Sequence, residues 1–326
     1  MTLLRTPWLL ALALALSTIL ALSLGHYPLH WGTLMHELGT GQFRDDSWVL
    51  LQLRLPRVLA AMVIGAALAS AGAAYQGMFR NPLVSPDILG VAAGAGLGAV
   101  LAIFLSLSLI WVQLFAFIGG LAAVWMVYSL AKLAKRHEAV LVLVLAGVAL
   151  SALLGAAIAL FKLLADPYNQ LPSITFWLMG GLNATSLNDL LWVLPFLLLA
   201  LIPLWQLRWR INLLALSDDE AHTLGLNVPR TRLWLILSAT LMTACATAIS
   251  GIIGWVGLII PHIARLIVGP EFSRLLPASL LLGAVFLLLC DTLARSLASI
   301  ELPLGVVTAF IGAPFFIFLL LSGGRP

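Results

Sequence analysis

A chain of 326 residues in which 62% are hydrophobic and 9% charged has too little polar surface to enclose a water-soluble core, which excludes a soluble globular fold. The net charge of +4 is carried by loop lysines and arginines and reports membrane topology, giving no reason to propose nucleic-acid binding. Cys245 and Cys290 stand singly inside apolar runs as small buried hydrophobes, so no disulfide framework is implied.

Apolar runs of about 17 to 25 residues cross a bilayer as helices. Such runs lie near 8–24, 57–79, 88–107, 111–133, 139–161, 189–207, 231–250, 254–268, 276–297 and 303–321. The reading is an all-α polytopic membrane protein with ten transmembrane helices in a single domain, residues 1–326. The first run follows Arg5 and ends near Ala21 and Ser23, as a secretory signal would, but it exceeds the usual signal core of about 7 to 15 residues and more spans follow it. The uncharged stretch 88–133 is too long for one helix and is expected to turn near residues 106–109. Gly90, Gly94 and Gly98 recur every four residues along one helix face and favour close packing over a dinucleotide fingerprint, which needs a preceding strand. The eighth span is short and contains Pro261, a break tolerated where freed backbone groups find protein partners.

With both termini cytoplasmic, Arg80, Lys132, Lys135, Arg136, Arg274 and the segment 208–232 fall on the cytoplasmic side. The opposite side receives two longer connections, 25–56 and 162–188. The second holds residues 174–182, too short to span and read as an interfacial or re-entrant helix.

The segment from Arg208 to Arg232 is the densest charged stretch of the chain, flanked by Arg208, Arg210, Arg230 and Arg232. Within it Ser217 is a candidate N-cap, Asp218, Asp219 and Glu220 occupy a first helical turn, and Gly225 is a stop. A capped short helix held between two spans can take a push.

Four further constellations stand out. Arg54 and Arg57 flank Pro56 at the outer end of the second span, as a docking pair for an acidic partner or as headgroup anchors. The double-proline stretch 80–90 is either a structural turn capped by Ser85 or Asp87, or a rigid loop at the mouth of a pathway. His262 and Arg265 share a face of the eighth span, and Asp291 with Arg295 share a face of the ninth, as a functional charge or a local ion pair. His26, His30 and His36 lie in a loop without the pattern of a metal site. No zinc-protease pair, phosphate loop or nucleophile elbow occurs, so the chain shows no catalytic machinery, and energy for uphill transport must come from another subunit or a coupled ion.

Taken in order, Arg54-Leu55-Pro56-Arg57, Asn81-Pro82-Leu83 followed by Pro86-Asp87-Ile88-Leu89-Gly90, Trp177-Leu178-Met179-Gly180-Gly181, Leu224-Gly225-Leu226-Asn227-Val228, Pro261-His262-Ile263-Ala264-Arg265, residues 301–309 and Gly312-Ala313-Pro314 resemble the FecCD family. These are permeases of type II ABC importers for iron-siderophore, haem and cobalamin uptake, and the resemblance covers nearly the whole chain. It implies a bacterial or archaeal cytoplasmic (inner) membrane protein of ten helices, paired with a second copy or a sister permease. Two cytoplasmic ATPases, which bind the ATP and Mg, and a periplasmic or lipid-anchored substrate-binding protein complete the assembly, with no cofactor on this chain. The resemblance also assigns ATPase coupling to Ser217, Asp218, Asp219, Glu220, Ala221, His222, Thr223, Leu224, Gly225, Leu226 and Asn227. Binding-protein docking falls to Arg54, Arg57 and Arg295, and the cytoplasmic gate to Asn81, Pro82, Leu83, Ala139 and Val140.

The leading expectation is therefore an importer permease for an iron chelate, with haem, cobalamin or molybdate open within the same class. An ion-coupled secondary transporter is the alternative of a different class; it would need ionisable groups near mid-membrane, and Asp291 is the plausible one.

Overall fold

The computed structural model describes residues 2–25, 27–41, 44–134, 139–297 and 300–321, and among them every regular element is helical. The order is α1 (Thr2–Ser23), α2 (Trp31–Thr40), α3 (Asp45–Trp48), α4 (Leu55–Phe79), α5 (Val91–Phe104), α6 (Leu109–Leu133) and α7 (Ala139–Leu164). It continues with α8 (Gln170–Met179), α9 (Leu187–Leu207), α10 (Asp218–Thr223), α11 (Val228–Ser250), α12 (Val256–Val268), α13 (Phe272–Ala294) and α14 (Leu304–Leu321). A π-helical turn, Val49–Arg54, joins α3 to α4, and a 3-10 turn, Arg210–Ala215, follows α9.

Each expected span falls on one of these helices, and the turn expected near 106–109 lies between α5 and α6. Among the described residues seven helical stretches are long and apolar enough to cross a bilayer: α1, the run Asp45–Phe79, α6, α7, α9, α11 and α13. The apolar helices α5, α12 and α14 are shorter. At 1.5 Å per residue the 13 residues of α12 rise only about 20 Å.

The central pillar is α4, buried over 78% of its apolar window, where α7 is buried over 17%. It packs on α11, α12 and α13. Lipid tails are as apolar as leucine, so helices gain most by bringing backbones together, which needs small residues. A Cβ on Gly65 of α4 would stand 2.2 Å from the Gly283 carbonyl oxygen of α13. Gly94 and Gly98 bring α5 onto α6 in the same way, against Gly119 and Phe115. Gly90, third of the expected glycine face, instead closes the turn before α5 at φ +77.

Two connections differ from expectation. The segment 25–56 carries α2 and is helical from Asp45 onward. In its π turn the Leu55 N–H reaches back five residues to the Leu50 carbonyl. Pro56 has no N–H and would interrupt an α-ladder, and the wider ladder just before it lets the helix run on. The short helix expected over 174–182 begins at Gln170. There the Gln170 amide donates to the Phe104 carbonyl at 2.8 Å and accepts from the Asp166 N–H at 3.0 Å. It stops at Gly180, φ +72.

Candidate functional site

At one end of the bundle the segment after α9 folds as its local chemistry demands. Ser217 Oγ accepts from the Glu220 N–H at 3.3 Å while the Glu220 carboxylate accepts the Ser217 N–H at 2.9 Å, a reciprocal cap on α10. Gly225 turns the chain at φ +82, Leu226 N–H returns to the Ala221 carbonyl at 3.0 Å, and Asn227 caps α11 through the Arg230 N–H at 3.0 Å. Ala221 and Leu226 are buried, whereas Asp219, His222 and Thr223 are exposed and Leu224 protrudes at 60% exposure. One side of α10 is therefore anchored and the other is offered outward.

The anchor is electrostatic as well as apolar. Both terminal nitrogens of Arg232 on α11 lie 2.8 Å from the Asp218 carboxylate, and Arg80, at the end of α4, donates to it at 2.9 Å. Burial pulls the Asp218 carboxyl upward, but the hydrogen bonds and charges of Arg232 and Arg80 outweigh it and hold the group below its ordinary range. Arg80 also donates through Nε to the Leu214 carbonyl. It does so from a left-handed backbone, φ +52, a conformation a side-chain-bearing residue holds only when its surroundings enforce it. Sequence reading counted Arg80 and Arg232 as topological charges, because their shared partner is set by the fold.

Beside this clamp lies the loop expected to gate the pathway. Asn81, Pro82 and Leu83 are exposed, and Asn81 Oδ1 accepts from the Leu83 N–H at 2.9 Å. Of the two residues considered as caps for the next helix, Asp87 does it, taking the Ala92 N–H at 2.7 Å. The loop is tied down by Gln76, buried in the last turns of α4. Its amide donates to the Val84 carbonyl at 3.2 Å and the Leu258 carbonyl at 3.0 Å, and accepts from Arg265 at 2.9 Å. Arg265 thereby joins α12 to α4, while His262, one turn earlier, is half-buried. Val140 is half-buried at the start of α7 against the main core; the Ala139 side chain, Lys135, Arg136 and His26 lie outside the described residues.

At the opposite end Arg57 bonds the fully buried Asp291 carboxylate at 2.9 and 3.2 Å and Glu301 at 2.8 Å. Arg295 Nε stands 3.6 Å from Asp291, and its terminal nitrogen donates to the Ala21 carbonyl. Arg54 donates to the carbonyls of Leu22, Ser23 and Tyr27. Arg54 and Arg295 thus close the last turn of α1, whose final carbonyls have no helical partner. Of the three arginines expected to face a docking partner, Arg54 and Arg295 are 5% and 6% exposed and bonded within the fold, while Arg57 is half-buried beside the more exposed Glu301. The π turn before α4 is what swings Arg54 under the end of α1. Asp291 and Arg295 form an ion pair on one helix face, and the carboxylate is bonded more closely by Arg57 from α4. A cavity of about 520 Å³ opens at this end, lined in part by Arg57, Glu301, Trp177, Asn183 and Ser250. In the nearby α2–α3 segment His30 stands 3.8 Å from Asp46, and His36 is exposed.

The sequence model of the FecCD transport family matches residues 13–322. The chain is 40% identical over 324 residues to the molybdate import system permease protein MolB of Haemophilus influenzae, covering 97% of this chain and 96% of that one. It is 41% identical over 315 residues to the Fe(3+) dicitrate transport system permease protein FecD of Escherichia coli, covering 96% of each. A solved structure described as an inward-facing conformation of a metal-chelate type ABC transporter superposes with a TM-score of 0.87 at 38% identity, over 98% of this chain and 99% of that chain.

Proposed function

This chain belongs to the FecCD transport family, and from that membership we propose that it passes an iron chelate from periplasm to cytoplasm, driven by partner ATPases at α10. It is a multi-pass membrane permease with the fold of type II ABC importers, a transport subunit. The observation that carries the coupling assignment is α10 itself: six residues, capped, clamped to α4 and α11 through Asp218, and exposing Leu224.

The α10 end is cytoplasmic in this reading, since Arg208, Arg210, Arg230 and Arg274 cluster there, and the shorter helices α5, α12 and α14 complete ten spans. ATP binding brings the partner ATPases together and displaces α10. Arg80 carries that displacement to α4, and Arg232 carries it to α11. Because Gln76 and Asn81 flank Arg80, moving the end of α4 also moves the gate loop. The ATPases need only contact α10 differently in two states to shift the permease between them. A second permease copy or sister chain and a substrate-binding protein complete the assembly, the latter over the cavity that Arg57 and Glu301 help to line. Arg54 and Arg295 act there indirectly, by fixing the end of α1 beside that mouth.

Iron chelate is supported by the relative named for ferric dicitrate and by the metal-chelate type structure. Molybdate is the second reading, favoured by the MolB relative. The test is mild extraction of the tagged chain from its host, followed by uptake of radiolabelled ferric chelate or molybdate into vesicles bearing whatever co-purifies. Recovery of an ATPase and ATP-dependent uptake of one cargo is expected. A chain that purifies alone and transports without ATP overturns the reading.

A further inference from the structure

Helix α9 presents an apolar stripe outward, Leu191, Leu194, Leu198, Ile202 and Trp205, at steps of three and four residues, and Trp209 continues it beyond the helix. At the end of the stripe the Arg208 guanidinium lies 4.4 Å from the centre of the Trp205 ring and 5.9 Å from that of Trp209, while Nη1 donates to the Trp205 carbonyl at 2.8 Å. Among the described residues no carboxylate lies within ion-pair reach of Arg208 or Arg210. In the acidic stretch that follows, Asp218 is held by Arg80 and Arg232 and Glu220 by the cap of its own helix, while Asp219 is exposed outside ion-pair distance of Arg208 and Arg210.

An outward apolar stripe ending in two indoles and an uncompensated guanidinium matches the depth profile of a bilayer. Leucines meet the tails, indoles sit at headgroup depth, and an arginine reaches the interface with donors to spare. We propose that Arg208, with Arg210 beside it and Trp205 and Trp209 framing it, binds the phosphate of an anionic phospholipid. The stripe decides for lipid over a soluble protein, because Trp205, on which the guanidinium stacks, continues the outward apolar face of a helix long and apolar enough to cross a bilayer. The guanidinium fork suits a phosphate, and a headgroup of net negative charge leaves that charge uncancelled.

The site also sits at the root of the segment that carries α10. Two residues on begins the turn Arg210–Ala215, where Asn212 Oδ1 caps α13 through the Phe272 N–H at 2.8 Å and the Leu214 carbonyl receives Arg80. A bound headgroup therefore steadies the base of α10. That consequence rests on the importer reading; the binding itself does not.

The experiment is native mass spectrometry of the full-length chain, with any subunits that co-purify, titrated with phosphatidylglycerol or phosphatidylcholine. Preferential retention of phosphatidylglycerol is expected, reduced about fivefold in Arg208→Gln, as about 1 kcal/mol per basic residue near an anionic surface implies, and largely kept in Arg208→Lys. Should Arg208→Gln fail to fold, Trp209→Leu is expected to weaken the same preference. Equal retention of both lipids, or unchanged retention in Arg208→Gln, overturns the proposal. So does displacement of the lipid by millimolar inorganic phosphate, which marks a small-anion site, or loss of a subunit from Arg208→Gln with lipid retention intact, which marks a protein contact. Uptake in vesicles with and without phosphatidylglycerol is read separately, so that failure of the transport reading leaves the lipid result standing.

Discussion

Arg80 and Arg232 close on Asp218 at the α10 end, and Arg57 and Arg295 close on Asp291 at the other. The chemistry is the same, two guanidiniums on one carboxylate, but Asp218 has a half-exposed side chain and Asp291 none exposed at all. Water screens the first pair of contacts, so opening them is cheap and the helix they hold can move. The second is withdrawn from water, where removing one partner strands the others as buried charges. The difference teaches that the fold places its rigid ionic contact where α1, α4 and α13 are held together and a weaker, water-screened one on the helix proposed to meet the ATPases.

The sharpest way to break this comparison is to remove the buried carboxylate. Asp291→Ala is expected to destabilise the purified protein by about 3–5 kcal/mol in denaturant unfolding, and the triple variant Arg57→Met, Asp291→Leu, Arg295→Met to recover most of the loss. A change below about 1 kcal/mol in the single variant would show that the two clamps do not differ. Next in size is Gly225→Val. Open space surrounds this glycine, so the penalty is conformational, about 1–2 kcal/mol for a branched residue held at φ +82. The expected result is a chain that still inserts and binds its ATPase but hydrolyses ATP without uptake.

Asp218→Ala is expected to shift stability by no more than about 1 kcal/mol and yet to lower uptake per ATP hydrolysed. Arg80→Gly sharpens the point, since glycine accepts φ +52 freely while the clamp is lost: a stable but uncoupled chain is expected, and normal coupling would remove Arg80 from the transmission route. The smallest effect is on pH. The carboxyls of Asp218 and Glu220 are both held below their ordinary values of 3.8 and 4.5, the first because Arg232 and Arg80 outweigh its burial, the second chiefly through hydrogen bonds from Ser217. A depressed carboxyl stabilises the fold above its unfolded value and loses that contribution only as pH falls through the lowered one. Amide-exchange protection of residues 217–227 is thus expected to stay flat from neutral pH down to about 5 and to fall below about 4, ahead of the rest of the bundle.

Sequence alone was enough for the ten apolar runs, the turn between α5 and α6, and the Ser217 cap, first-turn acids and Gly225 stop of α10, because helix periodicity, caps and glycine stops are settled within about four residues by backbone geometry. Asp218 was legible as a first-turn acid for that reason. Its clamp was not, since Arg80 lies 138 residues away in the chain, and neither was the Arg57 to Asp291 pair, separated by 234. The inward turn of Arg54 was equally hidden, because a charge beside a proline at the end of a span looks outward until a π turn rotates it beneath α1. Which side chains meet was decided by how closely the helices approach, and that approach is set where Gly65 meets Gly283, a contact no periodicity in either helix announces.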